Sequence, residues 1–374
     1  METLREFFIE ELLEKRRMNC RFNLGESGFQ NLRLGELVER LGIGWDQLAE
    51  VGLDDAPNVG REDLREEIAK LYPSTKKENV LVTTGTSEAI YLFLASVLRK
   101  NDVVRLFWPS FQSLYEIPLS LGCQIERVNI LGKNTLDVRE LLSQKAKLYI
   151  LNHPHNPSGL MISKSDQEFL RKSILENPNV FYLFDEHYRF LDPSPEVFSG
   201  AMISKNSFAT GSITKCFGVV GLKIGWIVGE KSFLQKLRSF KDYLTHTVNP
   251  ISEFLCLEIL RKRKLLLDPL VSRLEKNKMV LLENLKTFRS IDFAKYIPLQ
   301  SGIVSFVPLR KTVKGEIVCK SLEYVNRLYE DTGVFLLPGT DFEEEGYVRV
   351  GLGTNEKSFA LAIEAWRNWD QENF

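Results

Sequence analysis

Apolar and polar positions along this chain fall in blocks rather than in strict alternation. Uninterrupted apolar runs at Val80–Thr83, Val103–Phe107, Leu148–Leu151, Val180–Phe184 and Gly225–Val228 predict strands buried on both faces. Between several of them, Ser87–Arg99, Ser113–Leu121 and Ser165–Leu175 carry the spacing of helices. Strands alternating with helices imply an α/β fold with a mostly parallel sheet covered on both faces.

The two ends of the chain follow another pattern. Leu4–Arg17 reads as an amphipathic helix with apolar positions at Leu4, Phe7, Phe8, Leu12 and Leu13, a stripe suited to packing on a neighbouring lobe. From Ser272 a long charged helix leads to an apolar run at Gly302–Val307, then to a predicted helix over Glu316–Thr332. A strand pair follows at Val334–Leu337 and Tyr347–Gly351, and a last helix covers Glu356–Asp370. A large lobe over residues 46–270 and a smaller α/β lobe built from 1–45 and 271–374 are therefore expected. At 374 residues the chain exceeds the size at which one core usually suffices.

Composition narrows the options by exclusion. Hydrophobic residues make up 44% and charged residues 26%, the balance of a soluble globular protein. A net charge of −1 gives no polyelectrolyte signal, so nucleic acid is not expected as a partner. No apolar run is long enough to span a bilayer, and the charged first 17 residues do not resemble a signal peptide. Cys20, Cys123, Cys216, Cys256 and Cys319 are scattered and form no CxxC pair, which points away from disulfides and zinc and towards a reducing cytoplasm. His153 and His155 flank Pro154 with no third ligand nearby in sequence, so no metal is expected.

Polar islands interrupt the apolar pattern where strands should end. One is Asn152-His153-Pro154-His155-Asn156-Pro157-Ser158-Gly159, a second Asp185-Glu186-His187-Tyr188, a third Gly211-Ser212-Ile213-Thr214-Lys215 followed by Gly218, Gly221 and Gly225. A buried lysine such as Lys215 can form an imine with an aldehyde cofactor and then act as a base. Asp185 at a strand end can pair with a pyridine nitrogen and keep it protonated; capping a helix is the alternative. Tyr188 and Asn156 can hydrogen-bond a ring oxygen, and Phe111 can stack on a flat ring or fill the core. Thr83-Thr84-Gly85-Thr86-Ser87 turns from strand to helix, presenting N–H groups and a helix dipole to a phosphate or simply starting a helix. Ser212 and Thr214 can add hydroxyl donors there, and Lys223 a positive charge. The glycine spacing matches neither a Walker loop nor a dinucleotide fingerprint. An amide, a carboxylate with a phenol, and an amine at successive strand ends are the groups that hold and use pyridoxal phosphate.

Together these segments resemble the fold-type I, aspartate-aminotransferase-like superfamily of pyridoxal-phosphate enzymes. The resemblance implies a large domain with a seven-stranded, mostly parallel sheet, and pyridoxal 5'-phosphate as cofactor. It implies Lys215 as the cofactor-linking lysine, Asp185 as the pyridinium partner, Asn156 and Tyr188 on the ring oxygen and Phe111 on the ring face. Gly85, Thr86, Ser87, Ser212, Thr214 and Lys223 would hold the phosphate, and Arg349 would clamp the substrate α-carboxylate. A homodimer is implied as well. Two positions depart from the pattern. Lys223 replaces the usual arginine, and Asp54-Asp55-Ala56-Pro57-Asn58 lacks the tyrosine that usually reaches the partner's phosphate.

A narrower resemblance concerns Glu26-Ser27-Gly28-Phe29-Gln30-Asn31 with Gly35-Glu36-Leu37, Thr84-Gly85-Thr86-Ser87-Glu88-Ala89, and Asp242-Tyr243-Leu244-Thr245 with Pro250. These look like capreomycidine synthase and its relatives, including enduracididine-forming cyclases of the guanitoxin type. That likeness implies cyclodehydration of a hydroxylated, arginine-like substrate. Glu26 would pair with the guanidinium and Ser27 would line its pocket. An ordinary aminotransferase is the alternative reaction, and a cofactor-binding regulator the non-enzymatic one.

Overall fold

A computed structural model describes residues 4–194, 196–313, 316–317 and 320–374. Cys319 and part of the predicted 316–332 helix lie outside the described residues.

Seven strands form the main sheet: β1 (Val80–Thr83), β2 (Val103–Trp108), β3 (Gln124–Asn129), β4 (Leu148–Asn152), β5 (Phe181–Asp185), β6 (Ser207–Gly211) and β7 (Gly225–Val228). Their order is β1-β7-β6-β5-β4-β2-β3. Only β7 runs antiparallel to its neighbours. The five strands anticipated from apolar runs are all present. β3 and β6 were not anticipated. β3 is an edge strand with mostly exposed side chains, and β6 (Ser-Phe-Ala-Thr-Gly) is fully buried but composed largely of small and polar residues. Neither carries the continuous apolar run of an interior parallel strand.

Val304–Pro308, Leu337–Pro338 and Tyr347–Gly351 make a second, antiparallel sheet. The predicted strand at 334–337 is split. Val334–Phe335 pairs in parallel with Phe22–Asn23, whereas Leu337–Pro338 pairs with Val348 and Arg349. This crossover stitches the start of the chain to its end. The helix expected over 316–332 occupies only Ser321–Thr332, and Glu316–Ile317 instead pairs with Thr312–Val313 in a hairpin. The long helix runs Arg263–Leu285, starting before Pro269 rather than after it. Pro269 lies early in that helix, where one missing N–H costs a single turn rather than the element.

The N-terminal helix spans Phe8–Arg16, shorter than expected. Its Ile9 and Leu13 are buried against Phe306, Phe335, Leu337 and Phe342 of the second sheet. Its approach is fixed from the main lobe, where Gln112 Oε1 accepts from Phe8 N at 3.0 Å and Glu116 pairs with Arg5 at 2.6 Å. The main buried cluster runs continuously from Phe22 through Leu151 to Phe374. No helix among the described residues is long and apolar enough to cross a membrane.

Candidate active site

Parallel strand pairing places polar residues side by side at one edge of the sheet. Asn152 is in register with Asp185, and Asp185 with Thr210. The carboxyl ends of parallel strands are where open α/β sheets form ligand crevices. Here a cavity of ≈ 300 Å³ opens, lined by Asn152, Asn156, Asp185, His187, Tyr188, Thr214, Lys215, Lys223, Arg349, Phe111 and the Thr84–Ser87 turn.

Asp185 forms the floor. Asn152 Nδ2 donates to its Oδ2 at 3.1 Å and Thr210 Oγ1 to its Oδ1 at 3.1 Å, both buried. Burial pushes its carboxyl up to about 6, with Glu186 next door adding to the rise and the Thr210 hydroxyl opposing it. A carboxylate held this far from water by uncharged partners is set to receive a cation. Asn152 also orders the neighbouring island, since its Oδ1 accepts from Asn156 N at 2.6 Å.

Lys215 sits on the loop after β6, half-buried and facing the cavity. Burial lowers its amine below the ordinary lysine value; Arg349 and Lys223 push the same way, while Glu26 and Glu10 oppose. Gly28 lies over it, and a Cβ there would come within 3.0 Å of Lys215 Cδ. The backbone passes that close only without a side chain. His187 is half-buried, lowered to about 3 by burial and by Lys215, and its Nε2 has no hydrogen-bond partner among the described residues.

The Gly85–Val97 helix begins at the cavity wall, with Gly85 at φ +79° and no side chain capping its first turn among the described residues. Gly225 of β7 packs behind it: a Cβ would lie 2.6 Å from Thr86 N. Thr214 and Lys223 line the same region. Ser212 does not reach the cavity wall. Its hydroxyl donates to Ile224 O at 2.9 Å and accepts from Thr214 N at 2.9 Å, fixing the Thr214 turn from behind. Free first-turn N–H groups, a hydroxyl and an ammonium together suit a phosphate.

Arg349 comes from the second sheet and is 1% exposed. Its Nη2 donates to Gly25 O at 2.5 Å and its Nη1 to Asn156 Oδ1 at 3.4 Å, while Nε is buried without a partner among the described residues. Tyr188 donates to Ser27 O at 2.8 Å. Phe111 stands on the wall with its ring 5.4 Å from that of Phe7.

Glu26 is placed differently from the expectation. Its carboxylate accepts from Arg17 Nε at 2.7 Å and borders an adjoining cavity of ≈ 260 Å³ instead of the main one. Only its neighbour Ser27 lines the main cavity, because the Gly25 and Ser27 carbonyls, tied to Arg349 and Tyr188, turn the intervening side chain outward. Besides Asp185 on the floor, the main cavity is bordered by the acidic side chain of Glu10, with Ile9 and Leu13 of the same helix. Sequence reasoning missed it, because a lone glutamate on an exposed helix face carries no signal of its own. His153 and His155 are buried and kept neutral, lowered to about 4 and about 3 by burial, and no group of three potential metal ligands occurs among the described residues.

Comparison with known proteins decides the family. Residues 55–365 match the aminotransferase class I and II family. The chain belongs to that family. Capreomycidine synthase of Streptomyces vinaceus is 25% identical over 359 residues, covering 92% of this chain and 88% of the relative. Aspartate aminotransferase of Pyrococcus horikoshii is 24% identical over 332 residues, covering 82% and 80%. Among solved structures, a PLP-dependent aminotransferase from Streptococcus suis superposes with a TM-score of 0.88 at 23% identity, over 99% of this chain and 98% of that one. The PLP-dependent cyclase OrfR superposes equally well, at 0.88 and 21% identity, over 100% and 99%. These structural likenesses establish the fold-type I architecture, with its α/β layering and mainly parallel sheet. The cofactor of this class I/II enzyme is pyridoxal 5'-phosphate. The cavity fits it, with an acid for the ring nitrogen, an amine for the aldehyde and a helix N-terminus for the phosphate.

Proposed function

We propose that this protein is a PLP-dependent cyclodehydratase that converts a hydroxylated L-arginine to a cyclic guanidino amino acid of the enduracididine or capreomycidine type. The observation that carries this reading is a cavity bounded by both a buried guanidinium, Arg349, and the carboxylate of Glu10, with Glu26 beside it. Such a cavity suits a ligand with a carboxylate at one end and a cation at the other. The resemblance to capreomycidine synthase, over 92% of the chain, supports the same choice.

When bound, the cofactor supplies an electron sink for negative charge at the substrate α-carbon. Asp185 holds the proton on the ring nitrogen; its buried carboxylate gains a cationic partner by doing so. Gly85–Ser87, Thr214 and Lys223 hold the phosphate, with Ser212 positioning Thr214. Asn156 and Tyr188 orient the ring oxygen, and Phe111 covers the ring. Arg349 holds the α-carboxylate and thereby aims the α-hydrogen at Lys215. The lowered amine of Lys215 takes that proton and later returns it. Over the turnover the side-chain hydroxyl leaves as water with one guanidine proton, and a carbon–nitrogen bond replaces the carbon–oxygen bond. A γ-hydroxyl requires removal and return of a β-proton as well, and closes a five-membered ring.

The aminotransferase reading has its own support in the relationship to the Pyrococcus aspartate aminotransferase. The two separate on incubation of holoenzyme with β- and γ-hydroxyarginine and no keto-acid acceptor. A product lighter by one water, formed over many turnovers, is expected; one equivalent of keto acid and then arrest would establish transamination instead. The division into lobes at 46–270 against 1–45 with 271–374, a homodimer and a cytoplasmic location belong to the same proposal. Tyr243 and Leu53 are 87% and 78% exposed, and the four described cysteines are unpaired.

A further inference from the structure

Arg17 follows directly on the N-terminal helix. Its N–H donates to Leu13 O at 2.8 Å, so the main chain finishes the helix and leaves the side chain free to reach sideways. The guanidinium spans the two carboxylates at the cavities, Nε donating to Glu26 Oε1 at 2.7 Å and Nη2 to Glu10 Oε2 at 3.5 Å, while the exposed Glu14 Oε2 lies 3.9 Å from Nη1. Glu10 borders the main cavity, Arg17 and Glu26 border the adjoining one, and Val220 lines both. The Glu26 backbone is pinned to the catalytic groups. Gly25 O accepts from Arg349, Ser27 O accepts from Tyr188, and a Cβ on Gly351 would approach Glu26 O to 1.9 Å. The Glu26 backbone therefore stands at a set position relative to Arg349, and the chain's own guanidinium occupies the Glu26 and Glu10 carboxylates.

We propose that Arg17 is a tethered competitor, occupying the Glu26–Glu10 subsite until a substrate guanidinium displaces it. The inference rests on the arginine-like substrate proposed above. It makes Arg17 a determinant of substrate affinity that acts through the two carboxylates rather than by touching the ligand. In the ligand-free chain the carboxylates are neutralised, which avoids two adjacent unpaired negative charges beside the cavity. Exchange is cheap. Side-chain exposures of 37% for Arg17 and 30% for Glu26 put the pair in the solvent-screened regime. A ligand anchored by Arg349 pays little to replace one guanidinium by another, and competition from so weak a pair raises its apparent dissociation constant by roughly 2- to 10-fold.

The test is titration of the holoenzyme with L-arginine and with L-citrulline, its neutral isostere, following the cofactor absorbance. Arg17→Ala should tighten L-arginine by roughly 2- to 10-fold and leave L-citrulline unchanged. Glu10→Gln and Glu26→Gln should each weaken L-arginine. Arg17→Gln, which keeps most of the side chain, should reproduce the alanine result should the shorter residue disturb the helix. A crystal structure with L-arginine should show the Arg17–Glu26 pair broken. Unchanged or weaker L-arginine binding in both Arg17 variants overturns the inference. If the glutamate variants still weaken L-arginine, the arginine-like substrate survives that result; if they do not, it falls too.

Discussion

Replacing Arg349 by alanine isolates the part of substrate recognition that the second sheet supplies. The guanidinium is 1% exposed, is held by Gly25 O and Asn156 Oδ1, and has no partner for Nε among the described residues. Its fork is thus pre-oriented and desolvated before a carboxylate arrives. Truncating one side of such a buried charge pair costs about 2–5 kcal/mol, much of it from leaving the other charge unpaired. At 1.4 kcal/mol per tenfold, kcat/KM should fall about 30- to 4,000-fold. Arg349→Lys should recover only part, since an ammonium restores the charge without the bidentate geometry. Steady-state kinetics are compared on an amino acid and on the matching amine without its carboxylate. The loss should be confined to the carboxylated compound. Equal losses on both would show that Arg349 supports the fold rather than the substrate, and refute the clamp.

Other outcomes follow from single features of the site. Asp185 is raised from 3.8 to about 6 by burial, so its ionisation opposes folding of the apoprotein. The sign is fixed: the folded state holds the extra proton, so the penalty is absent below about pH 4, grows to pH 6 and is complete above. Relative to Asp185→Asn, the apoprotein should lose up to about 3 kcal/mol across that window in urea unfolding, and a pH-independent difference contradicts this. Gly225→Ala places a Cβ 2.6 Å from Thr86 N. Displacing the phosphate turn should weaken cofactor binding at an overpacking cost of about 1–3 kcal/mol, seen as faster cofactor loss on dialysis; unaltered retention argues against that phosphate site. Lys223→Met should likewise loosen the cofactor, and added salt should weaken wild type more than the variant if Lys223 meets the phosphate as a charge.

Much of this architecture was legible because interior parallel strands must be apolar throughout. The runs at 80–83, 148–151 and 225–228 announced themselves that way, and the polar residues just beyond them marked the crevice. Strand Ser207–Gly211 did not, although it carries the chain directly to Lys215. Gly211 must be small there because Trp226 Nε1 would lie 2.6 Å from a Cβ, a constraint set by a residue distant in sequence. The local identity of Lys215, Asp185, Asn156 and Arg349 could be proposed from pattern and resemblance, yet their convergence needed strand register. Glu10 and Arg17 were beyond reach for a different reason. Glu10 sits on, and Arg17 just beyond, a helix whose period says only that one face is apolar, and nothing local indicates that the polar face borders a cavity. The long helix begins at Arg263, ahead of the expected Ser272, because the buried Leu266, Leu270 and Leu274 outweigh the cost of Pro269 inside it.

The central claim is that the amine of Lys215 carries the cofactor. Borohydride reduction of the holoenzyme followed by peptide mass spectrometry tests it most directly. A phosphopyridoxyl adduct on the peptide containing Lys215, and none in Lys215→Ala, is the predicted result; an adduct on any other lysine, or none on this one, contradicts the account.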